Sequence, residues 1–269
     1  MAGRTIGLIA GKSQFPLLFA RAARAQGHRV VAVAFKGEAL PALEREVDSI
    51  TWVKLGQLGT LLKAFKSQGV GQAAMCGGVT KPRMFDIKPD LKALGLLKKI
   101  RHMADDGILR AFAAYLGEQG IEILPSHELV PELLARQVRY TSRGPSAQER
   151  DDIEVGWQVA GELGKLDIGQ CVVVRGRAVV AVEAMEGTDQ CIRRGGELAG
   201  GREAVVIKRC KPNQDRRFDL PSVGADTVAV MAAAGASCLV VEAGRTLFFD
   251  PKQAVQLAEA SGICILGRN

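Results

Sequence analysis

The chain has 269 residues, a hydrophobic content of 47%, a charged content of 24% and a net charge of +7. These values sit near the globular average and exclude a disordered or fibrous class, while the length predicts about two domains. The basic positions are scattered among acids without interleaved aromatic residues, which argues against nucleic acid and leaves an anionic ligand or an anionic membrane surface.

No apolar run reaches the roughly 20 residues that cross a bilayer, and MAGRTIGLIAGKS is too short an apolar stretch for a signal peptide. The expected location is therefore cytoplasmic. Six cysteines stand singly with no CxxC, as small buried hydrophobes would, and His28, His102 and His127 match no short metal spacing. A zinc site is not expected.

In chain order, the first half alternates short apolar runs with helix-period segments. TIGLIA (5–10) reads as a strand, LLFARAARAQ (17–26) as a helix and RVVAVAF (29–35) as a strand; DSITWV, a helix through LGTLLKAFKSQG and QAAMC (72–76) repeat the pattern. Helical LKALGLLKKIRHM and DDGILRAFAAYLGEQG lead to IEILP (121–125). The fold class is thus α/β. Residues 1–125 form a doubly wound, Rossmann-like domain with a parallel sheet, and 126–150, with RYTSRGPSAQERDD, form a linker.

Residues 151–269 read as a second α/β domain with a mixed sheet and hairpins. A helix in DIEVGWQVAGELGKLD precedes CVVVRG and RAVVAVEA, whose Arg-Gly suggests a tight hairpin turn. A helix at CIRRGGELA, a strand at EAVVIKRC and a helix at ADTVAVMAAAG follow. SCLVVEAGRTLFFD reads as a second hairpin, before a last helix and the strand ICILG.

Two first-domain loops are candidate ligand loops, because open α/β sheets bind ligands at the carboxyl ends of their strands. IGLIAGKSQFP lacks the glycine spacing of a P-loop or of a dinucleotide fingerprint. It keeps an anion-friendly turn at Gly11, Lys12 and Ser13, with a plain strand-to-helix turn as the competing reading. In MCGGVTKPRMFD (75–86), Gly77 and Gly78 would admit a ligand close to the backbone and Lys81 and Arg83 could meet anions; a solvated basic loop is the alternative.

The second domain carries the acids. In VEAMEGTD (182–189), strand alternation aims Glu183 to the same side as Ala181, where an unpaired carboxylate needs a cation, a metal or a donor. Thr188 and Asp189 could instead cap the next helix. KRCKPNQDRRFDLPSVGADT (208–227) sets Lys208, Lys211, Arg216 and Arg217 beside Asp219 and Asp226. Cations next to carboxylates suit metal-assisted attack on a phosphate ester, with Mg²⁺ neutralising charge and activating water. Asp226 would also be favoured by a helix dipole alone. VEAGR (241–245) repeats the pattern of a buried strand ending in an acid, Glu242, and could equally be an ordinary turn.

Together GLIAG and QFP near the start, LDIGQ (166–170), VEAMEGTD, the 208–227 stretch and VEAGR resemble, in order along the whole chain, the UDP-2,3-diacylglucosamine pyrophosphohydrolases of the LpxI type. The resemblance implies two domains and Mg²⁺-dependent hydrolysis of the diphosphate of a lipid-linked nucleotide sugar, to lipid X and UMP in lipid A biosynthesis. It implies Asp226 as the catalytic residue and, with Glu183, as a metal ligand. Thr188, Lys208 and Lys211 join Gly11, Lys12, Gly77, Gly78 and Lys81 as substrate-binding candidates. The chain departs from the family pattern at Lys12–Ser13 and at 78–82, in the first-domain loops.

An acylated substrate also needs an apolar cleft, expected in the groove between the domains beside the helices of 91–100 and 105–116. The first of these helices could face the cytoplasmic side of the inner membrane as a peripheral contact, and a homodimer is a further expectation. The rival readings are another α/β nucleotide-sugar or NAD(P)-linked enzyme, and a non-enzymatic sensor of a phospholipid precursor.

Overall fold

TIGLIA is buried at five of its six positions, as a strand covered on both faces must be. In the computed structural model, which describes residues 3–79, 89–97, 105–212, 214–217 and 219–269, it is the middle of a parallel sheet. The chain divides into two compact units, Met1–Pro131 with Asp215–Asp219, and Glu132–Gln214 with Leu220–Asn269.

The first unit holds β1 (Thr5–Ala10), β2 (Arg29–Phe35), β3 (Ser49–Val53), β4 (Gln72–Cys76) and β5 (Glu122–Leu124), in the order β3-β2-β1-β4-β5, all parallel. Helices α1 (Phe15–Ala25), α2 (Leu58–Ser67), α3 (Leu91–Leu97) and α4 (Asp105–Glu118) lie in the connections, except that β2 passes to β3 through a 3-10 turn at Pro41–Arg45. The chain runs outward from β1 to β3 and then returns to the other side of β1, so β1 and β4 flank a topological switch point.

At that point the two glycine loops are stitched together. Gly11 N–H donates to the Cys76 carbonyl at 2.9 Å and Lys12 N–H to the Gly78 carbonyl at 2.7 Å. A methyl group on Gly77 would lie 2.1 Å from the Lys12 carbonyl oxygen, and Gly77 has φ of 81°. One on Gly11 would lie 2.3 Å from the Gly78 oxygen, whereas Gly78 faces open space. Gly77→Ala is therefore expected to cost about 2–4 kcal/mol through clash and backbone strain, and Gly78→Ala less than about 0.5 kcal/mol, as read by chemical denaturation. Lys81 and Arg83, with the rest of the second loop from residue 80 to 88, lie outside the described residues.

The second unit is built on β6 (Cys171–Arg175), β7 (Ala178–Val182), β8 (Ala204–Lys208), β10 (Ala236–Glu242) and β12 (Cys264–Arg268), ordered β12-β10-β8-β6-β7. β8, β10 and β12 are parallel; β6 runs antiparallel to β7 and β8, so the sheet is mixed. Strand alternation gives it two faces. Val172, Val174, Val205, Ile207, Cys238 and Val240 pack under α5 (Ala147–Lys165), with Ile153 and Trp157. Cys171, Val173, Val206, Leu239 and Val241 face Ile192, Val228 and Met231 of α6 (Thr188–Leu198) and α7 (Ala225–Ala233), with Ala254 and Ala258 of α8 (Pro251–Ala260).

The hairpin of β6 and β7 turns at Gly176 and Arg177, with φ of 58° and 64°, the left-handed pair that tight hairpins need. The buried Asp152 carboxylate of α5 accepts from Gly176 N–H at 3.0 Å and from Arg177 N–H, which fastens the turn to the helix. SCLVVEAGRTLFFD is not a hairpin. Its second part, β11 (Leu247–Phe248), pairs in parallel with β9 (Ser222–Val223), because β10 already has β8 and β12 on its two edges.

Residues 132–146 are drawn into the same unit. Tyr140 N–H donates to the Ile265 carbonyl at 2.9 Å, and Ala135 N–H to that of Thr246 at 2.8 Å. Helix α5 then starts at a capping box in which Ser146 Oγ accepts from Glu149 N–H and Glu149 accepts from Ser146 N–H. Burial works against the Glu149 charge, but the Arg143 guanidinium, the Ser237 hydroxyl and Ser146 N–H overcome it and lower the pKa from 4.5 to about 2.

A folded-state pKa below the unfolded one stabilises the protein fully above pH 4.5 and is lost as pH falls toward 2. Glu149→Gln is expected to remove up to about 3 kcal/mol at pH 7 and to flatten the pH dependence of unfolding between pH 4.5 and 2. Denaturation of both proteins across that window checks it.

Candidate active site

Where β8 ends, its last residue faces the α6–α7 side of the sheet, because Lys208 shares the parity of Ala204 and Val206. Its chain is buried, with 6% of the residue exposed. Lys208 Nζ donates to Thr188 Oγ1 at 2.8 Å and to the Ser222 carbonyl of β9 at 2.8 Å.

Glu183 reaches the same place from the edge strand β7, two places from the central strand β8. Its N–H still bonds the Cys171 carbonyl at 2.8 Å, so it continues β7 and shares the inward face of Ala181. Gly187, with φ of 85°, turns the chain into α6 and puts Thr188 on its first position. Thr188 Oγ1 stands 3.1 Å from Glu183 Oε1.

The polarity of this chain of bonds is determined. An ammonium can only donate, so the threonine hydroxyl accepts from Lys208 and gives its single proton to Glu183 Oε1. Glu183 Oε1 is therefore an acceptor, held through Thr188 by a buried cation. The other oxygen, Oε2, is buried and has no hydrogen-bond partner among the described residues. Such an atom calls for a ligand. Among the described residues two of the three N–H groups of Lys208 are used, which leaves one for an incoming oxygen.

Asp226 sits in the first turn of α7 and is exposed to solvent. It lies four residues beyond Ser222, whose carbonyl anchors Lys208, and the helix N-terminus favours negative charge there. Among the described residues no hydrogen bond or ion pair joins Asp226 to Glu183. Lys211 is engaged elsewhere: its Nζ meets the Asp167 carboxylate at 2.6 Å.

Neither Thr188 nor Asp189 caps α6 with its side chain; the cap position is Gly187, and the Thr188 hydroxyl is committed to Glu183 and Lys208. Glu186 is the solvent-side neighbour, ion-paired to Arg194. Its carboxyl is held below the usual range by its own backbone N–H and by Arg194, against some desolvation. Under Glu183, the hydrogen bond with Cys191 and burial push the Cys171 thiol well up, which keeps it neutral and unsuited to attack.

Glu242 belongs to the opposite face of the sheet, with Cys238 and Val240. Its Oε2 accepts from Cys210 N–H at 2.9 Å, and Arg209 and Arg245 lie within 3.8 Å and 3.6 Å. Arg209 in turn stacks over Trp157 at 4.7 Å. VEAGR thus ties a strand end to the α5 side rather than repeating the Glu183 arrangement. The Ser222 carbonyl escaped the sequence reading, since a backbone acceptor leaves no residue-type signal.

Two family models cover the chain: the LpxI N-terminal domain matches residues 5–133 and the LpxI C-terminal domain residues 136–266. The chain belongs to the LpxI family. A relative from Caulobacter vibrioides, named UDP-2,3-diacylglucosamine pyrophosphatase LpxI, is 33% identical over 274 residues, covering 98% of this chain and 97% of its own. The two LpxI models meet within a few residues of the boundary between the compact units.

Solved structures give much weaker likenesses. The biotin carboxylase domain of Hydrogenobacter thermophilus 2-oxoglutarate carboxylase is 12% identical over 72% of this chain, with a TM-score of 0.30. The biotin carboxylase subunit of a pyruvate carboxylase is also 12% identical, over 76%, with a TM-score of 0.27. The chain spans 41% of each of those chains, and neither likeness bears on the LpxI site.

Proposed function

We propose that this LpxI protein hydrolyses the diphosphate of UDP-2,3-diacylglucosamine to UMP and lipid X, a step of lipid A biosynthesis. The observation that carries the reading is the buried Lys208–Thr188–Glu183 chain, whose second carboxylate oxygen has no partner among the described residues. The name of the Caulobacter relative supports the substrate.

Mg²⁺ fits the donor set. Among the described residues no three His, Cys, Asp or Glu side chains cluster as a metal cage. Mg²⁺ is commonly held by one or two carboxylates and completed by substrate phosphate and water, which matches Glu183 with Asp226 as the second carboxylate. When bound, the ion would neutralise phosphate charge and lower the pKa of water.

The protein's own groups then have separable roles. The remaining N–H of Lys208 binds a phosphate oxygen, and Thr188 keeps the ammonium and Glu183 at a set spacing. Asp226 accepts the proton of the attacking water as its oxygen bonds to phosphorus and the bridging P–O bond breaks. Lys211, Lys12, Gly11, Gly77, Gly78 and Lys81 are carried as candidate substrate contacts.

The site is edged by apolar side chains, which suits an acylated substrate at a lipid surface. Loop 166–169 rests on Glu183, since a methyl on Gly169 would meet the Glu183 carbonyl at 1.9 Å. Leu166 and Ile168 in that loop, and Met185 two residues after Glu183, are 69%, 45% and 67% exposed. Peripheral contact with the inner membrane and a homodimer complete the proposal.

The test is to incubate the purified protein with UDP-2,3-diacylglucosamine in Mg²⁺ or in EDTA and to follow UMP and lipid X. UMP release in Mg²⁺ that stops in EDTA is the expected result. Absence of UMP in both would remove the reading, and equal release in both would remove the metal from it.

A further inference from the structure

An open groove of about 480 Å³ lies on the second unit, away from the residues of the candidate active site. Its floor is apolar: Leu134, Tyr140, Phe248, Pro251 and Val255. The Tyr140 ring stands edge-on to Phe248, with centroids 4.9 Å apart and planes at 77°. Tyr140 is locked from its polar end too, because its hydroxyl accepts from Arg136 N–H at 2.6 Å. The floor is thus a preformed surface, within the size range of clefts that hold small ligands.

The lining also carries charge. Lys252 and Gln256 stand one turn apart on α8, and Arg136, on the segment before α5, lines the same groove. Neither Arg136 nor Lys252 has an ion-pair partner among the described residues, and Glu132 leaves the lining with a net charge of +1. An apolar floor under unpaired cations complements a molecule with a hydrocarbon body and an anionic end. A nucleotide base would leave its polar edge against Leu134 and Val255, where nothing answers it.

We propose that this groove binds a single-chain amphiphile with an anionic head, of the carboxylate or phosphate monoester type. The tail lies along Leu134, Phe248 and Val255, and the head meets Arg136 and Lys252. The groove is linked to the active site by backbone: Phe248 belongs to β11, whose parallel partner β9 supplies the carbonyl that holds Lys208. The proposal stands independently of the hydrolytic reading, because it concerns binding and not turnover.

Calorimetric titration of the full chain with dodecanoate, dodecyl phosphate, dodecanol and inorganic phosphate tests it. Micromolar binding of the two anionic amphiphiles is expected, with dodecanol at least tenfold weaker and phosphate silent. Val255→Trp, which fills the groove at a partly exposed position, should weaken both anions at least tenfold. Arg136→Ala with Lys252→Ala should bring them to the level of dodecanol, and Asp226→Asn should leave binding unchanged.

Unaltered binding to Val255→Trp, no binding by the parent protein, or binding of phosphate as tight as of dodecyl phosphate would each overturn the proposal. Loss of binding in Asp226→Asn would place the amphiphile in the active site and would overturn it as well. Thermal unfolding of each variant establishes that a loss of binding is not a loss of fold.

Discussion

Asp226→Asn is expected to lower kcat for UMP release by about 10³-fold while leaving the melting temperature within about 1 °C of the parent. The two halves of that expectation come from different observations. Asp226 is solvent-exposed in the first turn of α7, and its carboxylate makes no hydrogen bond or ion pair among the described residues. Its removal therefore breaks no packing, and only the favourable charge at the helix N-terminus is lost, worth a few tenths of a kcal/mol.

The amide is nearly the same size but cannot accept a proton from water at neutral pH. Loss of an acid–base group alone accounts for 10²- to 10⁴-fold in rate. A steady-state assay beside a thermal melt reads both quantities. A loss of less than tenfold would remove Asp226 from the chemistry, and a large drop in melting temperature would make its role structural.

Lys208→Met should be damaging in both respects. The methionine fills the volume of the aliphatic stem but removes the cation that holds Thr188 and, through it, the buried Glu183 carboxylate. Breaking a buried charge arrangement from one side costs about 3–5 kcal/mol, since the remaining charge is stranded. The Ser222 carbonyl also loses its donor.

Adding Glu183→Gln to Lys208→Met is expected to recover about 1–2 kcal/mol, because no stranded carboxylate remains. Hydrolysis should not recover with it. Urea denaturation of the two single variants and the double variant gives the coupling. Additive losses would mean that Lys208 and Glu183 do not sense each other through Thr188.

Much of the architecture was legible before any coordinates. TIGLIA, RVVAVAF and QAAMC are continuous apolar runs with helical segments between them, and they form β1, β2 and β4 of a parallel sheet. The mixed sheet was readable too, because the Arg-Gly between the two apolar runs at 171–184 suggests a tight antiparallel hairpin, and β6 and β7 form one. Even the inward aim of Glu183 followed from the two-residue period of the strand.

The misread element shows where local pattern ends. SCLVVEAGRTLFFD has the apolar runs and turn residues of a hairpin, yet whether two neighbouring strands pair depends on which edges other strands have taken. VEAMEGTD and VEAGR look alike for the same reason. Alternation puts Glu183 and Glu242 each on one side of its strand. It cannot tell which helices cover that side.

The sequence by itself therefore determined most of the strands and helices, though not β9 or the pairing of β11, together with the parallel character of the first sheet and the inward turn of Glu183. These depend on residue period and on chain-local sterics. Only the tertiary structure decided that Lys208 and Glu183 share a face while Glu242 lies on the other. The same holds for the Ser222 carbonyl that completes the ammonium's shell, and for the Gly11 and Gly77 loops pressed together backbone to backbone. Those facts rest on contacts between segments far apart in the chain, whose pairing is selected by the packing of the whole sheet.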